Sequence, residues 1–201
     1  CALPICLAGI GAEAVPATAP VVPLATARRS RNLGIGSLAG SLAMLAASLM
    51  LYLSLPGMQS QIADEVVASH VRSLMAGHLT DVASSDHHTV KPWFDGKLDL
   101  APPVVDLAKD GFPLQGGRLD YIDHRPVAAL AYRHGKHVIN LFILPASGDL
   151  PSEAEAETVR GYNLLRWSLR GLDYWAVTDM DARELADWER DWRQAIATAG
   201  N

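Results

Sequence analysis

From Leu33 to Leu55 the chain runs for 23 residues without one charged side chain, and nothing else in it narrows the choice of fold so far. As a helix at 1.5 Å per residue the run would extend roughly 34 Å, slightly more than the ~30 Å hydrocarbon thickness of a bilayer. It predicts a single transmembrane helix. Arg28, Arg29 and Arg31 stand immediately before it, whereas the first charges after it are Asp64 and Glu65. By the positive-inside rule the N-terminus is cytoplasmic and the chain beyond Leu55 lies outside the cytoplasm. A cleavable signal peptide shares the basic-then-apolar pattern but has a shorter apolar core and a small-residue cleavage site. Here Leu55, Pro56, Gly57 and Met58 follow instead, so the expectation is an uncleaved anchor. Gly36 and Gly40 form a small-x-x-x-small pair, which would let two copies approach closely as a homodimer.

The run divides the chain into three. Residues 1–32 carry Glu13 and the three arginines and no recognisable core, so they are expected to be a short, disordered cytoplasmic segment. Residues 33–55 are the helix. Residues 56–201 hold 14 basic and 21 acidic side chains, a formal charge of −7 on 146 residues, which is the size of one domain. That acidity argues against direct nucleic-acid binding. Cys1 and Cys6, the only cysteines, precede the apolar run and cannot staple the domain that follows it.

In that domain Ile62, Val66, Val67, Val71, Leu74 and Met75 recur at helical spacing, with Gln59, Gln61, Asp64, Glu65 and Arg72 opposite. An amphipathic helix follows the Pro56-Gly57 break. From about Asp81 to Gln115, Pro92, Pro102, Pro103 and Pro113 break the pattern into ordered loop with short strands. Arg118 to Ile122, Val127 to Arg133 and His137 to Leu144 then read as a three-stranded meander. After an acidic link from Pro145 to Glu157, Gly161 to Ser168 and Leu172 to Thr178 form a hairpin around Arg170-Gly171. Asp181, with Glu184 three residues on, caps a final helix whose face is Leu185, Trp188, Trp192 and Ile196. The fold class expected is α+β, an antiparallel sheet between an N-terminal amphipathic helix and a C-terminal helix.

The residues that could carry chemistry do not assemble into a known catalytic pattern. His70 and His78 are eight apart on the helix, too far for one metal ion, and the adjacent His87 and His88 point apart in most backbones. His124, His134 and His137 fall at hairpin turns, and no H-E-x-x-H occurs. Ser84, Ser85, Asp86 and His87 cluster without the order or context of a triad. Gly116-Gly117 is a turn before a strand and lacks a phosphate-loop motif. Trp188 and Trp192 fit helix-to-sheet packing, and Trp167 and Trp175 fit cross-strand pairing. The expectation is therefore no catalytic residue, no metal and no cofactor.

Several runs nevertheless carry a resemblance. S-H-V-R-S-L from Ser69, H-L-T-D-V-A-S-S-D from His78, and H-T-V-K-P-W-F-D-G-K-L-D from His88 are joined by P-P-V-V-D-L, G-F-P-L-Q-G-G-R-L-D-Y and H-V-I-N-L-F. G-Y-N-L-L-R-W and Y-W-A-V-T-D follow. Over roughly residues 33–192 these are similar to the extracytoplasmic half of transmembrane anti-sigma factors of proteobacteria, with His88, Thr89, Val90, Lys91, Pro92, Trp93 and Phe94 as the most distinctive motif. The resemblance implies a single-pass inner-membrane regulator with a periplasmic sensor domain, which holds an extracytoplasmic-function sigma factor inactive. An envelope signal would release that factor through proteolysis near Leu55, Pro56, Gly57 and Met58 and then within the helix. It implies too that the sigma factor is bound through a cytoplasmic domain that this chain does not carry. The alternative is a membrane-tethered periplasmic binding or assembly module without sigma-factor contact. Lys91, Pro92 and Trp93 are expected to pin the Pro-rich stretch onto the sheet, with Trp93 buried.

Overall fold

The computed structural model describes residues 33–54 and 57–199. Residues 1–32, Leu55 and Pro56 lie outside the described residues, and with them the expected cytoplasmic segment and part of the expected cleavage region. The described residues divide into two units, residues 33–54 and residues 57–199. In the first, the apolar run forms α1 (Leu33–Ser54), which contains both Gly36 and Gly40. Side chains from Gly40 to Leu51 are all exposed, among them Leu42, Met44, Leu45, Leu49, Met50 and Leu51. Among the described residues no helix is long and apolar enough to cross a membrane.

The second unit is α+β, as expected. It opens with α2 (Met58–Ser73), followed by a two-residue strand β1 (Val82–Ala83) and a short helix α3 (His87–Trp93). Six longer strands come next: β2 (Leu114–Ile122), β3 (Arg125–His134), β4 (His137–Pro145), β5 (Glu155–Val159), β6 (Tyr162–Leu169) and β7 (Leu172–Thr178). The chain ends in α4 (Ala182–Ala199), where Asp181 Oδ1 accepts from the Arg183 N–H as the cap. All seven strands form one antiparallel sheet in the order β1-β2-β3-β4-β7-β6-β5. Meander and hairpin are joined edge to edge by β4–β7, where Phe142 faces Trp175 and Ile143 faces Tyr174.

Both faces of this sheet are covered, which explains strands such as V-A-A-L-A-Y and V-I-N-L-F-I-L that show little polar alternation. On one face Leu130, Tyr132, Leu141, Trp167 and Tyr174 meet α3 and α4. On the other, Ala129, Phe142, Trp175 and Val177 meet Ala63, Val66 and Val67 of α2. Trp167 and Trp175 do not pair with each other, because they lie on opposite faces. Trp167 stacks on its cross-strand partner Tyr174 with centroids 5.3 Å apart, and Trp192 of α4 closes edge-on against both rings.

Four sequence expectations change. The Pro-rich stretch contains a helix, α3, because Asp86 caps it and Pro92 falls near its end. Within the motif from His88 to Phe94, Val90 and Phe94 are fully buried, Trp93 is half-buried, and His88, Thr89, Lys91 and Pro92 are exposed. Phe94 is therefore the anchor, while Trp93 carries the Lys97 ammonium over its ring at 4.3 Å. Gly116 and Gly117 lie inside β2. Gly116 has φ +145 beside the Val82 carbonyl, and a Cβ at Gly117 would stand 2.8 Å from the Phe94 ring. The acidic link also contains a strand, β5, whose Glu155 and Glu157 pair with Arg166 of β6.

Phe94→Ala should destabilise the domain by about 3 kcal/mol, and Trp93→Ala by about 1 kcal/mol or less, in chemical denaturation. Gly116→Ala should detach β1 from β2, read as loss of amide protection at Asp81 and Ser84, whose N–H groups donate to Gly117 and Gln115.

Candidate functional site

The apolar face expected on α2 continues to Met75, but Val71, Leu74 and Met75 are exposed. The residues turned toward the sheet over the last turns are instead Ser69, His70 and Ser73, all 2% exposed or less. The buried face thus runs Ala63, Val66, Val67, His70, Ser73, a spacing of three and four that keeps helical phase but ends in polar side chains. Opposite them the sheet presents Arg118 and Asp120 from β2 and Asn140 from β4.

These six residues form one hydrogen-bonded network. Arg118 donates through Nε to Asp120 Oδ2 at 3.1 Å, and through Nη1 to the Leu79 carbonyl at 3.2 Å and to Asn140 Oδ1 at 3.1 Å. Its Nη2 reaches Ser69 Oγ at 3.3 Å, and Ser69 in turn donates to Asp120. Since a guanidinium only donates, it fixes the Asn140 amide with its oxygen toward Arg118. The Asn140 NH₂ then donates to Ser73 Oγ at 2.6 Å and to His70 Nδ1 at 2.9 Å. Ser73 passes its own proton to the His70 carbonyl at 2.7 Å.

One consequence is a defined state for His70. Its Nδ1 must accept, so the proton sits on Nε2, which has no hydrogen-bond acceptor among the described residues and whose ring meets Tyr162 edge-on at 5.2 Å. Burial lowers the His70 pKa from 6.5 to about 4; Asp179 opposes this and Arg118 adds to it. Protonation would place two donors, Nδ1–H and the Asn140 NH₂, face to face. Burial also lowers Arg118, against which the neighbouring Asp120 acts. The outer rim of the network opens into a cleft of about 220 Å³ lined by Arg72, His78 and Asp81.

The hydroxyls of this network are held by Asp120 and by a backbone carbonyl, and neither is bonded to the imidazole. The geometry therefore suits a titratable fastening of α2 to the sheet and not an activated nucleophile. None of the six was singled out from the sequence as a site. Asn140 inside an otherwise apolar strand was the available signal, because a polar group that must be buried must have partners.

Elsewhere, Gly57 is the exposed N-cap of α2 and Met58 its first residue. His134 Nδ1 lies 2.9 Å from the Gly111 carbonyl, and His137 Nδ1 lies 2.9 Å from Asp179 Oδ1. His87 and His88, expected to point apart, have ring centroids only 4.0 Å from each other. His87 also lines a cleft of about 660 Å³, beside Asp106, Lys109, Asp110 and Asp191. Comparison with protein-family models, with curated proteins and with solved structures finds no match to this chain.

The folded state holds the His70 pKa below its unfolded value, so the unfolded chain takes up the proton first. The stability this group contributes is complete above about pH 6.5 and is lost as the pH falls from there to about 4. The loss is on the order of 3 kcal/mol. His70→Gln keeps an acceptor for Asn140 without titrating, and denaturation curves from pH 7 to pH 4 should show a correspondingly smaller loss than in the parent.

Proposed function

We propose that the chain is a membrane-anchored transcriptional regulator of the anti-sigma type, with the uncharged run of residues 33–55 as a whole crossing a bacterial inner membrane once and residues 56–201 forming a periplasmic sensor domain. The observation that carries this reading is the fastening of α2. In sequence this helix follows the uncharged apolar run almost directly, and it is held to its sheet by the Arg118–Asn140–His70 network as well as by apolar contact. The large exposed apolar side chains of α1 suit a hydrocarbon surrounding.

In this mechanism a signal that disturbs the network loosens α2. The segment Leu55, Pro56, Gly57 and Met58 then loses its folded neighbour and becomes a protease substrate, since proteases require locally unfolded backbone. Cleavage there would admit a second cut within α1 and free a sigma factor held on the cytoplasmic side. Acid is one such signal, because protonating His70 sets it against Asn140. Gly36 and Gly40, four residues apart in α1, would bring two copies together in the membrane.

A second reading, a tethered periplasmic binding or assembly module with no sigma-factor contact, draws on the 660 Å³ cleft with its acidic wall.

The test is topology and cleavage together, with the full chain in the inner membrane of a bacterial host. Residues beyond Met58 should be accessible from the periplasm alone. Asn140→Leu should raise cleavage around Leu55–Met58 by about tenfold over Ile196→Ala, which destabilises α4 on the opposite face. Equal cleavage in the two variants at matched stability would dismiss the fastening mechanism. Cytoplasmic accessibility of residues beyond Met58 would dismiss the whole reading.

A further inference from the structure

We propose that Asp86, His87 and His88 bind a divalent transition-metal ion of the zinc class at the edge of the 660 Å³ cleft. The inference is independent of the membrane reading, since it rests on the second unit alone.

One ligand atom from each of the three, a carboxylate oxygen and two imidazole nitrogens, lies within 4.8 Å of the others. In a tetrahedral zinc site with bonds of about 2.0–2.1 Å, donor atoms stand roughly 3.4 Å apart. Exposed side chains close that difference by small χ rotations. The convergence is a product of the fold. Asp86 precedes α3 in extended conformation, φ −90 and ψ 116, and its Oδ1 accepts from the His88 N–H at 2.8 Å. Its other oxygen, Oδ2, accepts from Thr89 Oγ1 at 3.4 Å, so the carboxylate is held from two sides. The turn into α3 then brings two consecutive rings together, with His87 Nδ1 3.9 Å from Asp86 Oδ1.

Donor chemistry selects the ion. Two imidazoles with one carboxylate favour zinc, copper, nickel or iron over calcium or magnesium, which take oxygen ligands. Among the described residues neither ring makes a hydrogen bond, so the ring nitrogens of both are available as ligand atoms. Three protein ligands leave at least one position open, as in sites that also take water or a ligand. Here that position adjoins a cleft walled by Asp106, Asp110 and Asp191.

The experiment is a competition titration of the purified full chain with Zn²⁺ against a chromophoric chelator. Cys1 and Cys6 are replaced by serine in every sample so that thiolates do not compete. One Zn²⁺ per chain is expected. His87→Gln, His88→Gln and Asp86→Asn should each weaken binding roughly tenfold or more. Asp86→Asn keeps the cap on α3, and both imidazoles are exposed, so the metal-free melting temperature should not move. With Cu²⁺ as the probe, electron paramagnetic resonance should show two coupled imidazole nitrogens in the parent and one in each histidine variant. Retained affinity in the double histidine variant would place the ion elsewhere and overturn the proposal. So would the absence of Zn²⁺ binding at about a hundred micromolar.

Discussion

The pairing of β4 with β7 is the contact on which the second unit depends, because it merges a meander and a hairpin system into one sheet. Each system alone would be a narrow sheet with an open apolar edge, a form that is marginally stable in water. Joined, they align Phe142 with Trp175 on one face and Ile143 with Tyr174 on the other. Each face becomes wide enough to bury a helix. Trp167, Tyr174 and Trp192 complete one interior, while Phe142 and Trp175 lie under α2 in the other.

The two faces are not covered in the same way. α4 docks through Leu185, Trp188, Trp192 and Ile196, a continuous apolar stripe. α2 begins with an apolar contact and ends with an imidazole and two hydroxyls of its own set over a buried guanidinium and an amide of the sheet. An apolar contact is indifferent to pH and local charge, whereas a buried polar network is stable only while every member keeps its partner. The helix nearest in sequence to the apolar run is thus the one whose attachment responds to its surroundings. That asymmetry gives the regulator reading its physical content.

Much of this was legible in the residues. Strand positions from Val127 to Leu144 and from Tyr162 to Thr178 followed from apolar, β-branched and aromatic runs separated by turn residues, and α4 from Asp181 and its tryptophans. The elements that were missed are those whose local signal is weak. α3 is seven residues long and contains a proline, and β5 is acidic because it lies at the sheet edge. Gly116 and Gly117 resembled a turn because their demand for glycine comes from Val82 and Phe94, which approach from other elements.

Periodicity and charge within single segments were enough to determine an uncharged apolar helix, an acidic α+β domain after it, and most of that domain's strands and helices. The sequence could not place Ser69, His70 and Ser73 on the buried face of α2, since its apolar spacing pointed equally well to Val71, Leu74 and Met75. Only the tertiary structure decided that phase. Arg118 meets Ser69 across 49 positions of sequence, and Asn140 meets His70 across 70. A buried polar group takes its identity from its partners, and those partners are set by sheet register and helix docking. The approach of His87 to His88 has the same origin, since adjacent side chains diverge or converge according to the backbone that carries them.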